Sequence, residues 1–130
     1  MSDFKTKVEN YKKAVHRLEE SILEYNETNS DSVRDGAIQR FEFCIELAWK
    51  TIREYLLEQG FSNLNSPKAV MREAYAYKII DDERLWINAL NDRNLTSHVY
   101  DETTADDIFS HICESYILIL KKLSNFFNNK

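Results

Sequence analysis

The chain has 130 residues and a formal net charge of −5, a length that suits one domain with a hydrophobic core. Only two Gly and one Pro stand against 43% hydrophobic residues, so the residues that β-hairpin turns need are scarce and long helices are favoured. The negative charge disfavours nucleic-acid binding through the whole surface, and any such contact is expected to be local.

The N-terminus, the cysteines and the absence of known binding motifs exclude several classes of protein. The N-terminal MSDFKTKVENYKK lacks the apolar core of a signal peptide, and no stretch approaches the roughly 18 apolar residues that span a bilayer, which predicts a cytoplasmic protein. Cys44 and Cys113 lie in apolar helical patterns, far from a second Cys or a His at metal spacing, and are predicted to be core residues. Without a Gly-rich phosphate loop or a metal motif, neither a cofactor nor a metal is expected.

Hydrophobic spacing predicts the first helices in chain order. Apolar residues recur at steps of three or four over residues 4–25, which indicates a first helix with one buried stripe. The polar segment NETNSDS then offers a capping Ser or Asp, and a second helix, predicted as the centre of the core, ends at Gly60. Ser66 and Pro67 suit the N-cap and first position of a shorter third helix.

Two more helices complete the predicted fold. Asp81 and Asp82 precede a fourth helix, and Thr103 and Thr104, each followed three residues later by Asp, resemble capping boxes that begin a fifth helix from about residue 105 to 127. The sequence therefore predicts an all-α protein, a single up-and-down bundle of about five helices over residues 1–130.

The aromatic residues of the second helix predict a homodimer. They fall on two faces, which is more apolar surface than one small bundle readily hides, and two-fold interfaces commonly bury such a surplus. The alternative is that all of them belong to the core. The residues concerned are Phe41, Phe43, Trp49 and Tyr55.

The stretch NDRNLTSHVYDE, residues 91–102, holds the candidate site. An imidazole at His98 can move a proton near neutral pH, and the guanidinium of Arg93 can grip a phosphate, so the pair suits metal-free phosphodiester cleavage. In RNA, His98 would activate the 2′-OH, and a two-fold dimer would supply a second His98 as the acid. Asn94 lies one helical turn before His98 and can orient it, and an extended HVY segment would point His98 and Tyr100 to one side.

A structural alternative stays open at this point. Arg93 could pair with Asp92 or Asp101, while His98 caps a helix C-terminus. Asp92, Asp101 and Glu102 would weaken RNA binding and favour protonated His98. Substrate could be held by cations that solubility alone also explains, namely Lys5, Lys12, Lys13, Arg17, Lys68 and Arg72. His16 and His111 have no partner at a recognised spacing and support no functional prediction.

The segment RNLTSHVY resembles the R-x-x-x-x-H motif of the HEPN superfamily, and its Tyr two residues after the His is similar to HepT-type toxins. RFEFCIELAWKTIREYL and SPKAVMREAY also resemble that subfamily, which is often labelled nucleotidyltransferase substrate-binding protein, so the likeness extends from about residue 4 to 126. The resemblance implies a dimeric helical bundle in which Arg93 and His98 cleave RNA without metal and Asn94 is the polar residue beside the Arg.

The same resemblance implies a regulator and an alternative. In HepT-type proteins the matching Tyr, here Tyr100, accepts AMP from a partner minimal nucleotidyltransferase that acts as antitoxin. A phenol that becomes an anionic phosphodiester beside the site would block it and repel RNA phosphates. The older label implies instead a non-catalytic subunit that completes the substrate site of a separate nucleotidyltransferase. Both expectations share fold and partner, and they differ on whether Arg93 and His98 break bonds.

Overall fold

The structure is a computed structural model that describes residues 2–98 and 101–130. Its helices confirm the predicted all-α bundle. In chain order they are α1 (Ser2–Thr28), α2 (Asp31–Glu58), α3 (Pro67–Ala76), α4 (Glu83–Asn94), α5 (Glu102–His111) and α6 (Ile117–Phe126). A π-helical segment, Ile112–Tyr116, joins α5 to α6, and two short 3-10 turns lie at Thr96–His98 and Phe127–Asn129.

Most helix starts follow the predicted capping chemistry. Ser30, Ser66 and Asp82 each accept a hydrogen bond from the backbone N–H three residues later, which satisfies a donor that the first turn leaves unpaired. The predicted start of the fifth helix was wrong. Asp101, with extended backbone, accepts from the N–H of Thr103 and the hydroxyl of Thr104, so α5 begins at Glu102 instead of residue 105.

The long helices α1 and α5–α6 run antiparallel. The ring of Phe4 lies 5.9 Å from that of Phe127 at one end, and the ring of Tyr25 lies 4.7 Å from that of Phe109 at the other. Between them the buried hydroxyl of Tyr11 donates to the backbone carbonyl of Leu120 at 2.7 Å. The pKa of Tyr11 is raised by burial, which keeps this donor protonated.

The buried face of α2 forms the centre of the core, as predicted. Phe41, Cys44 and Ile45 have no exposed surface, and burial raises the pKa of the Cys44 thiol to about 12. Among the α2 aromatics, Trp49 and Tyr55 are half-buried, whereas Phe43 is 58% exposed. The exposed aromatic surface of α2 is therefore smaller than the sequence predicted and lies mainly at Phe43.

In the described ranges, no helix is long and apolar enough to cross a membrane.

Candidate active site

The motif lies where α4 ends. The helix stops at Asn94, and Thr96–His98 forms a 3-10 turn, so His98 does not have the extended backbone that was expected for the HVY segment. The hydroxyl of Thr96 lies 2.8 Å from both the carbonyl oxygen of Arg93 and Oε2 of Glu42, which fixes the turn to α4 and to α2. Tyr100 and the side chain of His98 lie outside the part of the chain that is described.

Arg93 is held by α2 rather than by its acidic neighbours in sequence. Its Nε lies 3.2 Å from Oε2 of Glu46, and its Nη2 lies 4.0 Å from Oε2 of Glu42. The Nε atom is buried and forms an ion pair without an aligned hydrogen bond. The expected alternative partners, Asp92 and Asp101, are bound elsewhere. The guanidinium is thus oriented on one edge, while 31% of the side chain stays exposed.

Asn94 and one predicted cation share a small pocket with Arg93. The pocket, of about 200 Å³, is lined by Glu46, Arg93, Asn94 and the start of α3 at Ser66, Pro67 and Lys68, with Leu90. Because α4 ends at Asn94, no helical turn continues from it to His98. The role of Asn94 in orienting the imidazole stays a prediction.

A larger groove of about 940 Å³ opens beside Arg93 between α1 and α2. Its lining holds four cations and two carboxylates, a formal excess of two positive charges in a chain of net charge −5. The lining residues are Asn10, Lys13, Ala14, Arg17, Gly36, Gln39, Arg40, Glu42, Phe43, Glu46 and Arg93.

The structure separates the cations of the first helix that the sequence grouped together. Lys12 is half-buried and donates to the carbonyl of Ser124 at 2.6 Å and to the side chain of Asn128, so it caps the end of α6. Desolvation lowers the pKa of this ammonium. Lys13 and Arg17, in contrast, are exposed and line the groove with Arg93.

His111 and Asp92 are in side-chain contact, although no spacing in the sequence connects them. Oδ2 of Asp92 lies 2.8 Å from Nδ1 of His111 and accepts a hydrogen bond from the hydroxyl of Tyr116 at 2.7 Å. His111 and Tyr116 are five residues apart, a spacing that a π-helical turn brings onto one face and an α-helical turn does not. Burial, followed by the contact with Asp92, raises the pKa of the Tyr116 phenol.

The acidic residues after the motif are also bound within the fold. Asp101 caps α5, and Glu102 accepts from the buried guanidinium of Arg34 at 3.1 and 3.3 Å. Arg34 also contacts Asp31, Asp35 and Asp106 and was not identified from the sequence. Its hydrogen bonds lower the pKa of Glu102. The carboxylates expected to oppose RNA binding therefore have partners, and they do not line the groove.

Together these features define an all-helical protein with an Arg-x4-His motif at the end of its fourth helix, beside a basic groove. The chain belongs to the family of nucleotidyltransferase substrate binding protein like proteins, whose family model matches residues 6–129. This result confirms the family resemblance seen in the sequence.

Similar proteins agree with this assignment. A Haemophilus influenzae protein named probable ribonuclease HepT is 29% identical over 112 residues, which cover 76% of this chain and 77% of that protein. A solved Haemophilus influenzae structure, described as the fold of a substrate-binding domain of a nucleotidyltransferase, is 25% identical with a TM-score of 0.83, covering 92% and 97% of the two chains. A Thermus thermophilus structure is 34% identical with a TM-score of 0.80, covering 91% and 99%.

Proposed function

We propose that the chain is the toxin subunit of a toxin–antitoxin pair and a metal-independent endoribonuclease of the cytoplasm, with its whole length forming one domain. The observation that carries this proposal is the placement of Arg93, oriented by Glu46 of α2 at the edge of a groove with excess positive charge. A relative named as a ribonuclease supports RNA as the substrate.

The proposed chemistry uses the two residues of the motif. His98 removes the proton of a ribose 2′-OH, whose oxygen attacks the adjacent phosphorus while the bond to the 5′-oxygen breaks. The leaving oxygen takes a proton from His98 of a second copy in a homodimer. Arg93 stabilises the charge that develops on the phosphate oxygens. The products are a 2′,3′-cyclic phosphate and a 5′-hydroxyl, and no metal takes part.

Product analysis tests this mechanism. We expect the purified, unmodified protein to cleave single-stranded RNA in excess EDTA and to leave 2′,3′-cyclic phosphate ends, because the nucleophile belongs to the substrate. A matched RNA with 2′-O-methyl groups at every position is expected to remain intact, since it lacks that nucleophile. Cleavage of the methylated RNA, cleavage that needs added metal, or the absence of cleavage would each contradict the proposal.

Regulation is proposed at Tyr100, next to the motif. A partner minimal nucleotidyltransferase would transfer AMP from ATP, with the phenolic oxygen attacking the α-phosphorus, pyrophosphate leaving and the phenolic proton passing to solvent. The resulting anionic phosphodiester would repel RNA phosphates close to Arg93 and His98. The partner would thereby act as antitoxin.

Intact-mass measurement tests the modification. After incubation with a minimal nucleotidyltransferase from the same operon and ATP, we expect the chain to gain the mass of one AMP and to lose RNA cleavage. The Tyr100→Phe variant should keep its mass and its activity, while Tyr116→Phe serves as a control that keeps the acceptor. An adduct on Tyr100→Phe, or a modified chain with full activity, would contradict this role.

A second function is favoured by the family description, namely a non-catalytic subunit that binds substrate for a separate nucleotidyltransferase. On this view, Arg93 holds a nucleotide phosphate in the partner's site and no bond of RNA breaks. Expression without the partner separates the two functions. Growth arrest that Arg93→Ala abolishes supports the toxin, whereas harmless expression of a soluble, folded chain supports the binding subunit.

A further inference from the structure

The groove between α1 and α2 has the chemistry of a single-strand binding site. Lys13, Arg17 and Arg40 are exposed there, and in the described parts of the chain none of the three has a carboxylate within 4 Å. Arg40, on α2, donates a hydrogen bond to the backbone carbonyl of Arg17 at 2.8 Å, so the cations of the two helices lie together. Cations without a carboxylate partner attract the phosphates of a nucleic-acid strand and release its counterions. The lining of this groove has a positive excess, while the chain as a whole is acidic.

Glu42 and Glu46, the two carboxylates of the groove, do not neutralise the cations Lys13, Arg17 and Arg40. Glu42 and Glu46 lie at the end next to Arg93, where they contact that guanidinium and the Thr96 hydroxyl. Glu46 also accepts a hydrogen bond from the indole of Trp49 at 3.3 Å. The two carboxylates therefore bind Arg93 and Thr96 of the motif.

Helical spacing makes the groove continuous. Asn10, Lys13, Ala14 and Arg17 follow one face of α1 over about 10 Å, which corresponds to about three stacked nucleotides of one strand. On the facing side, Gly36 has no side chain and leaves open space where a Cβ would stand. At Gly36, therefore, no side chain fills the groove.

Phe43 adds a feature that phosphate attraction alone does not require. Its ring lines the groove one helical turn from Arg40 and is 58% exposed. An exposed aromatic ring beside cations is the arrangement with which proteins stack an unpaired base without reading its sequence. A duplex keeps its bases stacked on each other, so the ring favours a single strand.

We infer that Lys13, Arg17, Arg40 and Phe43 bind single-stranded RNA through its phosphates and one stacked base, and lead the strand to Arg93. This inference rests on the proposed ribonuclease function for the identity of the ligand, but binding does not require cleavage. The contacts involve phosphates and a base face, so replacement of the 2′-OH leaves them unchanged.

Binding of a non-cleavable strand provides the test. The probe is a labelled single-stranded oligonucleotide of mixed sequence with 2′-O-methyl sugars, titrated with full-length protein at several salt concentrations. For the triple variant Lys13→Gln, Arg17→Gln, Arg40→Gln we expect affinity to fall at least tenfold. The slope of log K against log salt should become shallower by about 2, because each of the three lost phosphate contacts contributes about 0.7 to it. Phe43→Ala should weaken binding about tenfold with an unchanged slope.

Matched controls separate this groove from general surface charge. The triple variant Lys78→Gln, Arg84→Gln, Lys130→Gln removes the same number of positive charges from exposed positions outside the groove, and Tyr75→Ala removes an aromatic ring that is 48% exposed on α3. Both are expected to bind like the wild type. Equal losses in the two triple variants, or no loss in the groove variant, would overturn the inference.

Measurements of probe binding and RNA cleavage on the same variants distinguish failure of the groove assignment from failure of the ribonuclease proposal. If the groove variant loses probe binding and the wild type cleaves no RNA, the groove assignment stands and the ribonuclease proposal fails. If RNA cleavage persists at wild-type efficiency in the groove variant, the groove assignment fails and the ribonuclease proposal stands. Light scattering is measured on the same samples, and a dimer that the groove substitutions convert to monomer would assign the groove to a second copy of the chain and overturn RNA binding there.

Discussion

Replacement of Arg93 by Ala is expected to lower the rate of RNA cleavage about a thousandfold, the effect typical of removing a cation or donor that stabilises a transition state. The loss should fall mainly on kcat, because the charge on the phosphate oxygens that Arg93 would stabilise grows as the reaction proceeds. Arg93→Lys should restore only a small part, since a point charge cannot make two parallel hydrogen bonds to a phosphate.

Glu46 gives this prediction a structural control. The carboxylate lies 3.2 Å from Nε of Arg93 and sets its orientation. Glu46→Gln keeps a similar shape but removes the charge of the ion pair, so an intermediate loss of about tenfold is expected. Arg84→Ala, on an exposed turn of the same helix, should leave cleavage unchanged. A full rate in Arg93→Ala with an unchanged fold would remove Arg93 from the mechanism.

The long helices and their order could be read from the sequence because burial repeats at helical spacing. Tyr11, Leu18, Phe41 and Ile45 follow this spacing, and all four are completely buried in the bundle. Capping by Ser66 was also predictable, since a local side chain satisfies a local N–H. Such features depend on neighbours within one or two turns.

Contacts between distant segments could not be read in the same way. Glu46 lies 47 positions before Arg93, and nothing local distinguishes it from Asp92 as a partner for the guanidinium. Likewise, the contact of His111 with Asp92 depends on a π-helical turn, which apolar periodicity does not reveal. The motif itself was predictable, but the groups that orient Arg93 depend on how α2 and α4 pack.

The acidic residues around the motif do not oppose phosphate binding as strongly as the net charge indicates, because their carboxylates are bound to other groups of the protein. Asp92, Asp101 and Glu102 surround the motif in sequence, yet each bonds to a helix end or to a side chain of another segment. Their negative charge stabilises the fold around the motif, and the groove next to Arg93 keeps its positive excess. Net charge alone therefore understates how well this surface suits a phosphate backbone.

Replacement of Arg34 by Met is expected to lower the free energy of unfolding by about 2 kcal/mol and the melting temperature by about 8 °C. The side chain is 3% exposed and joins α2 to the start of α5 through Glu102 and Asp106. Met fills much of the same volume, so the loss reports the ionic contacts rather than a cavity. The effect stays below that of a fully buried pair because the carboxylates can rehydrate. Arg84→Met should change stability by less than about 0.5 kcal/mol.

The pH dependence of this loss tests its cause. The pKa of Glu102 is lowered in the folded protein, first by its hydrogen bond from Arg34 and then by the positive charge of that guanidinium. A lowered pKa contributes stability that is present above the pKa of the unfolded chain, about 4.3 for Glu, and that disappears as pH falls through the folded value. Chemical unfolding should therefore show the largest difference between wild type and Arg34→Met at neutral pH and a shrinking one below about pH 4. A difference that stays constant across that range would assign the loss to packing and remove the ionic contacts as its cause.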